Sequence, residues 1–382
     1  MLYEWQKDAL TYFKKHNNCI IQAATGTGKT YYTLSVLKHV MQKNPEMRIL
    51  IIVPKNVILE YTWYKELTKD IPLHYIGLFY GDVKEHSRIT ITNTYNLEKV
   101  GYDDYDCIIA DEVHNMMSER LLGFLKRPKP YKVGLTATLK RGDMTHWDVL
   151  ECFSFNLFNY TLEQGVNDDI LNNFNFYNIG VRMSPEDQDD YDEIAGKLRL
   201  YSLMKKEGKW SGELQKARYK LLDRRKKLLG MNEDKIAVID RLKEDLLGRK
   251  IIVFNEYNAA APLTFWLMTE LGFKPCIFNT DIPKKVKTEN LNNYRKDRFD
   301  TIITTRALDE GYNLPAINAM VILCGGSASR QMIQRVGRGL RKGDRNTDIY
   351  QVYFIDTIEE EQALKRYELI KDSCDHYENK VI

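Results

Sequence analysis

The stretch AATGTGKT, residues 23–30, joins small residues to a lysine and a threonine, which is the combination that binding a phosphate chain requires. Small side chains let backbone N–H groups converge on phosphate oxygens. Gly26 and Gly28 supply the backbone freedom for such a turn, and with Thr25 and Thr27 they form a candidate ATP-binding loop. Lys29 is the cation for the β- and γ-phosphates, and the Thr30 hydroxyl is a candidate magnesium ligand. A helix starting here adds the positive end of its dipole. The strict pattern has Gly where this chain has Ala23, so a Gly-rich strand–helix turn without a ligand is the plain alternative for the site taken alone.

A second stretch, DEVH at 111–114, follows the apolar run DCIIA. Asp111 is placed to hold magnesium, and Glu112 to orient or deprotonate an attacking water. A bare acidic pair after a strand is often only the start of a loop. Its position after a phosphate-loop unit favours chemistry, because open α/β sheets bind ligands at the carboxyl ends of their strands. In a third stretch, QMIQRVGRGLR (331–341), Gln334, Arg335, Arg338 and Arg341 share one helical face. Gly337 and Gly339 are poor choices for a plain surface helix and permit close approach to another surface. Arginines presented across a cleft to a γ-phosphate act as arginine fingers.

These residues need a scaffold. Short β-branched runs recur, each followed by a helix-like stretch: 19–24, 48–54, 89–93, 106–112 and 131–137 in the first half, then 250–255, 275–279, 300–305, 319–325 and 350–356. Near-continuous apolar runs are what strands buried on both faces look like, and alternation with helices predicts parallel sheets covered on both sides. Two such sets imply two α/β domains, over 1–160 and 241–382. Between them, 161–240 reads as a linker with helices rather than sheet. Ser184 and Pro185 form a helix start, and 197–230 is rich in Lys and Arg. Arg224 and Arg225 lie in that basic run and are candidate nucleic-acid contacts, with a solvated helical pair as the competing reading. Tyr201, Trp210 and Tyr219 suit core packing better than base stacking.

A chain of 382 residues with 43% hydrophobic and 29% charged residues can bury two cores without disulfides or structural metals. A net charge of +3 says little about nucleic acid by itself. The six cysteines lack CxxC spacing and read as buried free thiols of a reducing compartment. No signal peptide and no membrane-spanning run is visible, so a cytoplasmic location is expected. Richness in Lys, Asn and Tyr suits an AT-rich genome, which points to a bacterium or a phage-infected cell.

Taken in order, AATGTGKT, DEVH, GLTATL (134–139), TTRALDEGYNLP (304–315) and QRVGRGLR (334–341) resemble the motifs of superfamily 2 helicases. LYEWQKDAL (2–10), GLTATLKRGD and YTLEQGVNDDIL (160–171) make the chain most similar to the XPB and phage UvsW type. The resemblance covers nearly the whole chain and implies two tandem RecA-like domains with a helical insertion near the start of the second. It implies that Gln6 reads adenine, that His114, Thr136 and Thr138 couple ATP to the nucleic-acid track, and that Gly311 and Asn313 face the nucleotide. Gln334, Arg338 and Arg341 complete catalysis in this scheme. Pro54, Lys55, Thr94, Arg141 and Thr305 contact nucleic acid. Lys55 and Asn313 depart from the usual Thr and Asp, and Gly142 from a Glu. The implied activity is an ATP- and Mg2+-dependent DNA helicase, or a translocase on duplex or branched DNA, without sequence preference. Its protein partners are those of replication, recombination or repair. An RNA helicase, or a nucleotide-gated binding protein without turnover, is the alternative.

Overall fold

In the apolar run Ile49–Val53, Ile49, Ile51 and Val53 join one buried cluster while Leu50 and Ile52 join another. Successive side chains of a strand point to opposite faces, so a run apolar at every position is a strand covered on both sides. The computed structural model describes residues 2–139, 144–209, 211–305, 315–323, 336–337, 340 and 346–382. Arg141, Trp210, Gly311, Asn313, Cys324, Gln334, Arg338 and Arg341 lie outside the described residues.

The chain divides into two compact units: the first holds the residues up to Leu171 and is joined by a short stretch of the second half that includes Gly337, and the second begins at Asn172. The strands of the first are β1 (Asn18–Ala23), β2 (Ile49–Val53), β3 (Ile76–Tyr80), β4 (Val83–Lys84), β5 (Ile89–Asn93), β6 (Cys107–Ala110), β7 (Tyr131–Thr136) and β8 (Leu157–Tyr160). Their order in space is β4-β3-β5-β2-β6-β7-β1-β8, and only the β3–β4 pair is antiparallel. Helix α1 (Glu4–His16) buries Trp5, Ala9 and Phe13, and helix α2 (Lys29–Lys43) follows β1.

The second unit holds β9 (Phe174–Val181), β10 (Ile251–Phe254), β11 (Pro275–Phe278), β12 (Thr301–Thr304), β13 (Ala319–Ile322), β14 (Thr347–Phe354) and β15 (His376–Val381). Their order is β11-β12-β10-β13-β14-β9-β15, with every pair parallel. The expected helices occupy Pro185–Lys206 and Gly212–Gly230, and Ser184 caps the first by accepting the Asp187 N–H at 3.2 Å. One expectation is corrected. The 161–240 segment is not helical throughout, because it contributes β9, which lies between β14 and β15. Phe174, Phe176, Ile179 and Val181 are its buried apolar residues; Asn175 and Tyr177 between them hid the run.

A buried ion pair joins the helix Glu233–Arg241 to the helix Ile358–Tyr367. Lys235 Nζ donates to Glu359 Oε1 at 2.8 Å and Oε2 at 2.6 Å, and the Phe354 N–H donates to the same carboxylate. Cys19, Cys107, Cys152 and Cys276 are buried thiols, and burial pushes Cys19 up to about 12. Among the described residues no helix is long and apolar enough to cross a membrane.

Candidate active site

Parallel pairing brings the candidate residues of the first unit to one edge. Gln22 of β1 is in register with Thr136 of β7, and Ala110 of β6 with Gly134 of β7. The loop after β1, the acidic pair after β6 and the turn after β7 therefore leave the sheet at its carboxyl edge, where such sheets bind ligands.

In the loop after β1, Gly26 and Gly28 have φ of 92° and 90°, a conformation that favours glycine. Thr27 is buried and its hydroxyl donates to the Ala24 carbonyl at 2.7 Å. Lys29 Nζ donates to the Ala23 carbonyl at 2.8 Å and the Ala24 carbonyl at 3.3 Å, which keeps its charge over the loop. Thr30 comes next, in the first turn of α2. Gln6 is fully buried. Its Nε2 donates to the Gly28 carbonyl at 3.1 Å, and its Oε1 accepts the Tyr3 N–H at 3.0 Å. A Cβ on Gly28 would come within 2.9 Å of that Nε2. The amide expected to read adenine is thus engaged with the phosphate loop, and adenine readout by it requires an exchange of partners. Gly337, which belongs to the first unit, approaches the same loop so closely that a Cβ on it would lie 2.7 Å from the Thr25 carbonyl.

Asp111 Oδ1 accepts the Glu112 N–H at 2.9 Å, and Oδ2 accepts the indole N–H of Trp63 at 2.7 Å. Glu112 has a left-handed backbone, φ 46°. His114 Nδ1 lies 3.3 Å from Glu112 Oε2 and 2.9 Å from Thr136 Oγ1. The Thr136 hydroxyl donates to the Thr138 carbonyl at 3.0 Å. Glu112, His114, Thr136 and Thr138 thus form a continuous polar chain from the acidic pair to the turn after β7. The donor set fits the implied metal: a carboxylate and a hydroxyl are hard oxygen ligands, which suit Mg2+. Among the described residues, no three His, Cys, Asp or Glu converge as a metal cage.

Pro54 and exposed Lys55 come directly after β2, and Thr94 directly after β5. Asn93 joins the two stretches: its Nδ2 donates to Asn56 Oδ1 at 2.7 Å, and its Oδ1 accepts the N–H groups of Tyr95 and Asn96. Next to Thr94, Tyr95 is 78% exposed. In the second unit, the Thr305 hydroxyl donates to Asn258 Oδ1 at 2.7 Å, while Asn258 Nδ2 donates to Thr280 and Asp281. Asn93 lies in the stretch 92–97, which reads as a backbone-contacting motif, whereas Trp63 and Asn258 went unseen, because they meet Asp111 and Thr305 across 48 and 47 residues of sequence.

In the basic helical pair, several of the cations meet carboxylates. Arg224 pairs with Asp190 across the two helices at 2.9 Å, Lys226 with the largely buried Glu256 at 2.9 Å, and Lys227 with Asp223 at 2.8 Å. Arg225 is half-buried and lines a cleft with Arg199, Lys206 and Arg218, and with the carboxylates of Asp192, Asp356 and Glu361. Tyr219 is exposed rather than in the core.

Residues 1–141 match the family described as type III restriction enzyme, res subunit, and residues 234–343 match the helicase conserved C-terminal domain. The chain is 25% identical to the DNA 3'-5' translocase XPB2 of Sulfurisphaera tokodaii, over 92% of this chain and 81% of that protein. It is 25% identical to the putative DNA 3'-5' helicase Rad25 of Halobacterium salinarum, over 90% of this chain and about half (53%) of that protein. The helicase domain of Pyrococcus furiosus Hef shares the fold at a TM-score of 0.60 and 15% identity, covering 94% of this chain and 97% of that one. Saccharomyces cerevisiae Dbp5, solved with RNA and ADP BeF3, does so at 0.65 and 17%, covering 99% and 89%. The two parallel-sheet units are RecA-like domains in tandem, and the chain is a superfamily 2 helicase-type ATPase similar along most of its length to XPB- and Rad25-type proteins.

Proposed function

We propose that the chain is an ATP-driven motor on DNA, either a helicase or a translocase on duplex or branched DNA, and that Mg2+ is its metal. The observation that supports this most is the gathering of the phosphate loop, the Asp111–Glu112 pair and the Thr136–Thr138 turn on one carboxyl edge of a parallel sheet. In this reading Lys29 exchanges its loop carbonyls for phosphate oxygens. Asp111 and Thr30 hold Mg2+, which when bound neutralises charge on the phosphates. Glu112 orients the attacking water, and His114 passes the state of that site to Thr136 and Thr138 through the polar chain. Lys55 and Thr94 in the first domain and Thr305 in the second grip the sugar–phosphate backbone, which carries no sequence information. The choice of DNA rests on the names of the XPB2 and Rad25 relatives; for an RNA substrate, the likeness to Dbp5 supports the fold alone. Protein partners in replication, recombination or repair, and a cytoplasmic place of action, belong to the same reading.

The test is ATP hydrolysis measured with single-stranded, duplex, forked and four-way DNA and with RNA. DNA, especially duplex or branched DNA, should stimulate turnover more than RNA does. Stimulation by RNA alone would make the chain an RNA helicase. Nucleotide binding with no turnover on any substrate would make it a gated binding protein.

A further inference from the structure

We propose that Trp63 is a positioning residue for the metal carboxylate: its indole N–H fixes the orientation of Asp111 and so sets the affinity of the nucleotide site for Mg2+. The inference rests on the reading of Asp111 as the magnesium ligand. Both carboxylate oxygens are held, Oδ1 by the Glu112 N–H and Oδ2 by Trp63 at 2.7 Å. Two donors from different directions fix the plane of a carboxylate. A carboxylate that ligates a metal depends on such outer partners for its orientation, and losing one typically costs roughly 10–100-fold in metal affinity or activity.

Trp63 is fully buried, so its N–H must find an acceptor inside the protein. The local backbone decides which acceptor it finds. Trp63 lies in a π-helical turn, Leu59–Tyr64, between the short helices Asn56–Ile58 and Lys65–Asp70. A π turn carries an extra residue relative to an α turn, which rotates the residues downstream of it by about 100°. Such turns are unfavourable and recur at functional sites. Here the turn directs a tryptophan 48 positions away in sequence onto the acidic pair. The same continuous helical stretch begins at Asn56, with Lys55 as its N-terminal cap residue, so one helical segment runs from a candidate nucleic-acid contact to the residue that holds the candidate metal carboxylate.

The experiment compares the wild-type chain, Trp63→Phe, and the full chain with benzothienylalanine at position 63, which keeps the bicyclic shape and replaces only the N–H by sulfur. ADP binding is measured by calorimetry without metal and along a Mg2+ titration. In both variants metal-free ADP affinity should stay within about twofold of wild type, while the Mg2+ concentration that tightens ADP binding should rise roughly 10–100-fold. An unchanged Mg2+ midpoint in the benzothienylalanine chain would overturn the proposal. So would a loss of metal-free ADP binding as large as the metal-dependent loss, since the ring would then be serving only the core. If Mg2+ did not affect ADP binding in the wild-type chain, the metal reading of Asp111 would itself fail, and the Trp63 assignment with it.

Discussion

Glu112 holds a left-handed backbone conformation, φ 46°, that residues with a Cβ seldom adopt. Strain of this kind costs of order 1–3 kcal/mol and persists where the surroundings impose it. Here the Asn115 N–H closes a turn on the Glu112 carbonyl, and the Asp111 carboxylate holds the Glu112 N–H. Glu112→Gln keeps the shape and those backbone bonds, so ATP binding should stay near wild type while hydrolysis falls by roughly 10²–10⁴, the usual worth of a general base. Lys29→Ala should instead abolish ATP binding. Equilibrium nucleotide binding and single-turnover hydrolysis on the same preparations separate the two effects, and near-normal turnover by Glu112→Gln would remove its assignment to water. Lys29, Asp111 and Glu112 were legible because each lies within a few residues of a strand end, so a short motif encodes its surroundings. Trp63 was not, since the bond that matters spans 48 residues and depends on a helical irregularity that no composition announces.

At the scale of elements, the ten β-branched runs became β1, β2, β5, β6, β7, β10, β11, β12, β13 and β14; nine lie between two parallel neighbours, and β11 is an edge strand paired in parallel with β12. Five strands were missed: β3 and β9, which lie inside their sheets, and β4, β8 and β15, which are short, partly exposed or polar. β4 has two residues, β8 is partly exposed, and the edge strand β15 reads HYENKV. The basic helical pair shows how charge composition can mislead. Read as a run, its cations suit phosphates; in the fold Arg224, Lys226 and Lys227 each meet a carboxylate. Exposed pairs are worth about 0–1 kcal/mol, so they do not prevent nucleic-acid binding, but they dilute the field. Arg218 and Arg225 share a cleft whose lining holds both cations and carboxylates, and they test whether this face meets phosphates at all. Arg218→Ala with Arg225→Ala should lower the salt slope of duplex binding by roughly 0.9 for each lost phosphate contact. The hydrolysis rate at saturating DNA should hold. An unchanged slope in a folded double variant would leave the helical pair outside the interface.

For the whole molecule, the resemblance assigns the arginine fingers to Arg338 and Arg341, far along the sequence from Lys29. Arg338→Ala should leave ATP binding within several-fold of wild type and slow hydrolysis by about 10³ or more, the range seen for arginine fingers. Lys at 338 should rescue poorly, because a point charge does not replace a planar fork. Wild-type hydrolysis by Arg338→Ala in the presence of DNA would make the residue an ordinary arginine. That two similar α/β domains exist was legible from repeated strand–helix alternation; where the second begins was not, because β9 pairs only with segments far along the chain. That pairing bears on how the protein is made. Asn178 of β9 bonds Gln351 of β14, 173 residues later. At roughly 5–20 residues per second, a ribosome needs about 10–30 s to cover that interval. Throughout it, residues 1–171 can fold while β9 waits with both edges open, a sticky strand in a nascent chain. A ribosome-associated holdase should therefore bind chains stalled once β9 has cleared the exit tunnel, and let go only when the finished chain leaves the ribosome and β14 is free to pair.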